Sequence, residues 1–177
     1  MIDLHSYDSA AAYSVLTQLD PSDHFEAELM RGVRINSAEI FADWHHAQAH
    51  SVLSFVIFCA RRRVPFAVLV LANTGQSGVA SAAFLSRDHV KWRRHIAVCG
   101  ARIRADMPEF CEKAGIRRVE VRSWSGHPTA NQFLRACGFN LEAAMPGFGP
   151  DGLSTFNQFA FVAPSQRPMP SSSGQEN

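Results

Sequence analysis

The sequence predicts an α/β (α+β) fold, a mixed central sheet of about seven strands with flanking helices, in the order β-α-α-β-β-β-α-β-α-β-β. Three observations carry that expectation. The 177 residues are 46% hydrophobic and only 19% charged, which suits one domain with a real core. A helical pattern from Val90 to Ala114 stands between two strand patterns, which makes a βαβ crossover and hence a parallel centre with antiparallel flanks. The C-terminal half then runs strand, short helix, Gly138-Phe139 break, strand.

Taken in order, Tyr13 to Leu19 alternates with period two, as a half-buried strand does. Asp20-Pro21-Ser22-Asp23 has the form of a helix start, with proline acceptable in the first turn and carboxylates at the positive end of the dipole. Phe25, Leu29 and Met30 supply an apolar stripe, so a first helix is expected over Pro21 to Arg31. Asn36-Ser37-Ala38-Glu39 is a capping box, and Ile40, Phe41, Trp44 and Ala47 follow at helical spacing, giving a second helix that ends near His50. Val52 to Cys59 reads as a strand, Arg61-Arg62-Arg63 as an exposed turn and Pro65 to Ala72 as a fully buried strand. Asn73 to Gly78 turns the chain into a further strand, Val79 to Ser86, and completes an antiparallel meander.

In the long helix, Ile96, Cys99, Ile103, Met107 and Phe110 form the expected buried face, Pro108 should kink or interrupt it, and Gly115 should end it. Strands over Arg118 to Ser123, Leu141 to Gly147 and Phe156 to Val162 complete the sheet, with Gly147 to Gly152 as a hairpin turn. The domain is expected to span residues 1–163. Residues 164–177, rich in proline and serine, have too little apolar content to offset ordering entropy and are expected to form a disordered tail.

A formal net charge of +1 excludes a broad nucleic-acid-binding face, which needs clustered cations. The four cysteines, Cys59, Cys99, Cys111 and Cys137, lie far apart, so they are expected as reduced, mostly buried thiols. No basic-then-apolar leader opens the chain, and its longest strongly apolar run, Pro65 to Ala72, is too short to span a bilayer; a cytoplasmic protein without a membrane partner is expected. His46 and His50 sit one helical turn apart, but no third ligand accompanies them, so no metal is expected. Trp44, Trp92 and Trp124 are expected as core or interface anchors.

The run Arg117 to Trp124, then His127-Pro128-Thr129-Ala130, Leu134 and Gly138-Phe139, resembles the last motif of the GNAT superfamily of N-acetyltransferases. That resemblance implies acetyl-CoA as cofactor, bound in a V-shaped gap between two splayed parallel strands, and a small-molecule or protein amine as substrate. Phe84, Leu85 and Ser86 would pair with pantetheine, and Ala130 would be the small residue of the second motif. The family wraps the pyrophosphate with glycine amides at a helix start, as helix N-termini favour anions. Here Ser86 to Ala97 contains no glycine, so Lys91, Arg93, Arg94 and His95 would hold the phosphates as side-chain cations, or else form the solvated face of an ordinary helix.

Leu134 stands where the family has a tyrosine that protonates the departing thiolate, and His127 stands at the asparagine position. His127 is then the one candidate acid, against a plain capping or packing role. Glu120 and Asp88 are candidate general bases, but each is more simply a partner for the arginines nearby.

The glycine-free loop, Arg118-Val119-Glu120-Val121-Arg122, and Phe148-Gly149 with Gly152, Phe156 and Phe159 are similar to a bacteriophage-encoded branch of that superfamily, which includes internal virion or assembly proteins of short-tailed phages. Two readings follow. The chain is an acetyl-CoA-dependent N-acetyltransferase, or it is a catalytically degenerate virion protein that keeps the fold and works through contacts with other phage proteins.

Overall fold

The structure is a computed structural model that describes residues 1–164, so all of the expected tail but Pro164 lies outside the described residues. Its elements are β1 (Ile2–Ser6), α1 (Ser9–Leu16), α2 (Pro21–Arg31), α3 (Ser37–Ala47) with a 3₁₀ turn (Gln48–His50), β2 (Ser51–Cys59), β3 (Val64–Asn73), β4 (Val79–Ser86), α4 (His89–Ala114), β5 (Arg118–Trp124), α5 (Ala130–Ala136), β6 (Asn140–Phe148) and β7 (Ser154–Val162). They build one seven-stranded mixed sheet, ordered β1-β2-β3-β4-β5-β7-β6. The β4–β5 pair is parallel, and every other neighbouring pair is antiparallel.

Two local expectations change. Tyr13 to Leu16 belongs to a helix, not a strand. Asp8 caps it by accepting the Ala11 N–H at 2.7 Å, and Ala12, Val15 and Leu16 are fully buried at the i, i+3, i+4 positions. The first strand lies upstream, where β1 pairs along the edge of β2. Pro108 interrupts nothing: it is exposed, and α4 runs 26 residues across it to Gly115, whose φ of 68° provides the left-handed stop. The capping box of α3 forms as expected, with Asn36 Oδ1 accepting the Ala38 and Glu39 amides and Glu39 accepting the Asn36 amide at 2.7 Å.

The helices cover both faces of the sheet. Val56, Val68 and Val70 pack with α1 and α3 on one side. Leu71, Val119 and Phe159 pack with Met107 and Cys111 of α4 and Leu134 and Cys137 of α5 on the other. All four cysteines are buried and unbridged. No helix among the described residues is long and apolar enough to cross a membrane.

The feature that positions the site is the short β4–β5 ladder. Pairing runs only from Val79↔Arg118 to Ser81↔Glu120, and from Ala82 and Val121 onward the strands part. Each keeps its outer partner to the end, β4 with β3 as far as Ser86 and β5 with β7 as far as Trp124. Their inner edges would therefore carry unpaired amides, which must find other acceptors.

Candidate active site at the parting of two strands

Those acceptors come from α2. Asp23 and Glu26 stand one helical turn apart on the face turned to the sheet; Asp23 Oδ2 takes the Ser86 N–H of β4 at 2.8 Å, and Glu26 Oε2 takes the Trp124 N–H of β5 at 2.9 Å. The Asp20 amide also donates to the Ser86 carbonyl. Two carboxylates thus take the last amide of each splayed strand. The apolar stripe read from the sequence is correspondingly displaced, since Leu29 is buried but Phe25 and Met30 are exposed.

Asp23 is 7% exposed and gathers three donors. Its Oδ1 receives His127 Nε2 and His89 Nε2, each at 3.1 Å, and its Oδ2 receives the Ser86 amide. Burial pushes this carboxyl up, but the His127 and His89 bonds, the His89 charge and the Ser86 amide outweigh it, so its pKa lies below the ordinary aspartate value. For His89, burial works against the charged form, but Asp23 first, then Asp20 and Asp88, raise its pKa above the usual histidine value. Its Nδ1 faces Thr129 Oγ1 at 3.0 Å and Asp20 at 3.7 Å.

His127 Nδ1 accepts the Thr129 and Ala130 amides at 3.2 and 3.0 Å, so its proton is on Nε2 and points to Asp23. The ligand atoms of Asp23, His89 and His127 lie within 4.8 Å of one another. A metal at His127 Nε2 would have to displace that proton while both donors still occupy Nδ1, so this set does not fit a metal ion. His46 bonds back to the Ala42 carbonyl of its own helix and does not converge with His50.

Three spaces meet where the strands part. The first, about 300 Å³ between the start of α4 and α5, is lined by Phe84, Ser86, His89, Arg93, His127, Ala130 and Phe133 among others. The second, on the α2 face, is about 530 Å³ and is bordered by Asp23, Glu26, Glu120, Val121 and Arg122. Asp23 lines both, reaching through the gap. A third lies under α4. In the α2-side cleft the Glu26 carboxyl is raised from 4.5 to about 7, chiefly by burial and further by Asp23, against the opposing Trp124 amide and His127. Both of its hydrogen bonds, from Trp124 N–H and at 3.5 Å from Ser123 Oγ, fall on Oε2, leaving Oε1 to the cleft.

The structure brings Phe84, Ser86, Arg93, Ala130 and His127 to the first cleft. It separates the others: Leu85 lines the cleft on the α2 face, and Lys91 and Arg94 are exposed and absent from the cleft wall. His95 packs on Phe66 and Trp92 against the sheet, where burial first, then the chain amino terminus and Arg62, lower its pKa. Trp92 is likewise a core residue, stacked on Phe66 at 5.0 Å, and leaves the strand gap clear.

An acetyl-CoA molecule fits one part of this site and not another. The start of α4 is already capped by acids: Asp20 Oδ2 accepts the His89 amide and Asp88 Oδ1 the Lys91 amide, both at 2.9 Å, so a backbone cradle for pyrophosphate is taken. The slot behind it fits a pantetheine arm better. Ser86 Oγ is buried there without a partner, and Arg93 brings a cation to the wall. Asp88 in its capping role and Glu120 beside Arg118, at 2.6 Å, are both accounted for structurally. Asp23, Glu26 and His89 carry no recognisable motif; their one signal in the sequence is an acidic i, i+3 pair on a helix whose other side already looked apolar.

No protein-family model and no curated protein matches the sequence. Solved structures match its fold at low identity. They include a GNAT-family acetyltransferase from Bacillus anthracis, 8% identical over 91% of this chain and 94% of that one with a TM-score of 0.68. A GNAT-superfamily phosphinothricin acetyltransferase from Sinorhizobium meliloti in complex with acetyl-CoA is 13% identical, over 96% of this chain and 94% of that one, with a TM-score of 0.64. A spermidine N-acetyltransferase from Vibrio cholerae in complex with CoA and spermine is 10% identical, over 91% of this chain and 95% of that one, with a TM-score of 0.65. The chain therefore has the GNAT fold, as its C-terminal motif implied. These structures are acetyltransferases, and they lend no support to the bacteriophage branch or to virion partners.

Proposed function

We propose that the protein is an N-acyltransferase that moves an acyl group, acetyl in the simplest case, from a coenzyme A thioester to an amine. One observation carries this reading: the gap between β4 and β5 opens on both faces of the sheet, with an arginine-bearing cleft on one side, an acidic cleft on the other, and Asp23 bordering both. A donor and an amine entering from opposite faces would meet at the gap, which is the entropic part of catalysis. The neighbours crystallised with acetyl-CoA or CoA and spermine support the same ligand classes by analogy of fold.

When bound, the thioester would supply an activated carbonyl: the amine nitrogen forms the C–N bond, the C–S bond breaks, and sulfur leaves as the thiolate, which takes a proton from solvent. The chain's part is to bind, orient and take the proton. Glu26 Oε1 accepts the amine proton and passes it to water in the cleft, since a carboxyl at about 7 is poised for that exchange near neutral pH. Asp23, anchored by His127 and His89, fixes the separation of β4 and β5 and lends negative charge to the amine side. His127 is a positioning residue, because its one proton is committed to Asp23. Leu134 has no proton to give, so no side chain on α5 is assigned to the departing thiolate. Arg93, with exposed Lys91 and Arg94 beside it, meets the anionic end of the donor in place of helix amides.

Calorimetry with acetyl-CoA tests the reading. Micromolar binding that weakens about tenfold in Arg93→Ala, together with thiol release on adding amines such as spermine, is expected. The occupied amides of α4 favour one alternative, a non-catalytic protein that keeps the fold. No detectable binding of any CoA ester would select it.

A further inference from the structure

The third space at the strand gap is an apolar cavity of about 380 Å³ between α4 and the sheet, which the reaction described above leaves unused. Leu53, Leu69 and Leu71 wall it from the sheet, and Ile103, Met107 and Phe110 from α4. Its charged lining residues, Arg102 and Asp106, pair with each other at 2.6 Å and are 58% and 57% exposed, which places them at the rim. It is a groove open to solvent, as the other two are, and its lining is mostly apolar, so an apolar ligand would gain by covering it. Its volume falls within the ~300 to 1,000 Å³ of ligand pockets.

Its position names the ligand. The cavity shares Ala82, Ala83 and Val121 with the Glu26 cleft, and Phe84 and Phe133 with the Arg93 cleft. Ala82 and Val121 are the first residues past the last paired step, Ser81↔Glu120. All three spaces therefore border the parting of the strands, beside which the reacting carbonyl would sit. Phe84 and Phe133, with ring centroids 4.7 Å apart, form the partition between the donor cleft and the cavity. Phe133 can lie against α4 because Gly100 has no side chain, as a Cβ there would stand 3.3 Å from its ring.

The geometry points to a donor with an acyl chain longer than acetyl, whose hydrocarbon tail runs past Phe84 and Phe133 into the cavity under α4. This rests on the N-acyltransferase reading. An acetyl group would end at the parting of the strands and leave the apolar wall uncovered, whereas each methylene buried there strengthens binding roughly fourfold.

Calorimetry on the full chain with CoA, acetyl-CoA, octanoyl-CoA and octanoate tests it. Octanoyl-CoA is expected to bind at least tenfold more tightly than acetyl-CoA. In Ile103→Phe, which fills the cavity from α4, octanoyl-CoA should fall toward the acetyl-CoA value; if that variant does not fold, the chain-length series on the wild type decides alone. Equal affinities for acetyl-CoA and octanoyl-CoA overturn the inference and leave the acyltransferase reading standing. Binding of octanoate without binding of either thioester makes the cavity a fatty-acid site and overturns both, as does the absence of any binding.

Discussion

Glu26→Gln removes a titrating site while leaving an oxygen for the Trp124 N–H. In the folded chain the Glu26 carboxyl moves from 4.5 to about 7, with burial as the main cause. A carboxyl with a raised folded-state pKa binds more protons folded than unfolded between those two values, so its effect on stability becomes steadily more unfavourable as pH climbs from 4.5 to about 7. At about 1.36 kcal/mol per pH unit, the accumulated loss above neutrality is ~3 kcal/mol, a ceiling because water in the cleft screens the carboxylate. Glutamine carries none of it. In urea denaturation, the variant should match the wild type near about pH 5 and exceed it by up to ~3 kcal/mol near about pH 8. Acyl transfer should fall ~100-fold or more, since the amine keeps its proton. A stability difference that is the same at both pH values refutes the raised carboxyl, and undiminished transfer refutes the base.

Asp23→Asn should be more damaging, costing ~2 to 3 kcal/mol, because it takes the carboxylate from buried His127 Nε2 and leaves the half-buried His89 charge with only the more distant Asp20; a thermal melt checks this, and a loss under ~1 kcal/mol would sink the anchoring role. The same pair sets the pH limits of the fold. The stability due to Asp23, whose pKa is lowered, is present above 3.8 and lost as pH falls through its folded value, whereas that due to His89, whose pKa is raised, is present below 6.5 and lost as pH rises through its folded value; urea midpoints followed from below 3.8 to above 6.5 should show both flanks. Asp88→Ala removes the α4 cap at a cost of about 1 kcal/mol yet frees the Lys91 amide, so acetyl-CoA affinity should rise in calorimetry. Trp92→Ala should cost ~3 to 5 kcal/mol by denaturant titration, as expected of a ring that is 4% exposed and stacked on Phe66.

Much of the fold is legible locally. The capping box at Asn36, the proline start at Pro21, the glycine stop at Gly115 and the buried run of β3 are each written in a few consecutive residues. α1 is hard to read locally because its second half, Tyr13 to Leu16, alternates like a strand, while its helical signal lies in the Asp8 cap and the alanines before it. The face of α2 is hidden in the sequence for a related reason. Phe25 and Met30 look like a stripe, but the partners that draw Asp23 and Glu26 inward are strand amides found nowhere near them in the chain.

The single parallel crossover belongs to the sequence by itself, because a long amphipathic helix between two strands admits few arrangements, whereas the gap at its end follows only from the resemblance of the C-terminal motif, and the place of β7 between β5 and β6 only from the fold. What occupies the gap belongs to the tertiary structure. Asp23 meets Ser86 across 63 residues and His127 across 104, and Glu26 meets Trp124 across 98, so neither spacing nor propensity could pair them. The reason is that two strands kept apart must have their amides satisfied from elsewhere, and which side chains reach them depends on how α2 lies on the sheet.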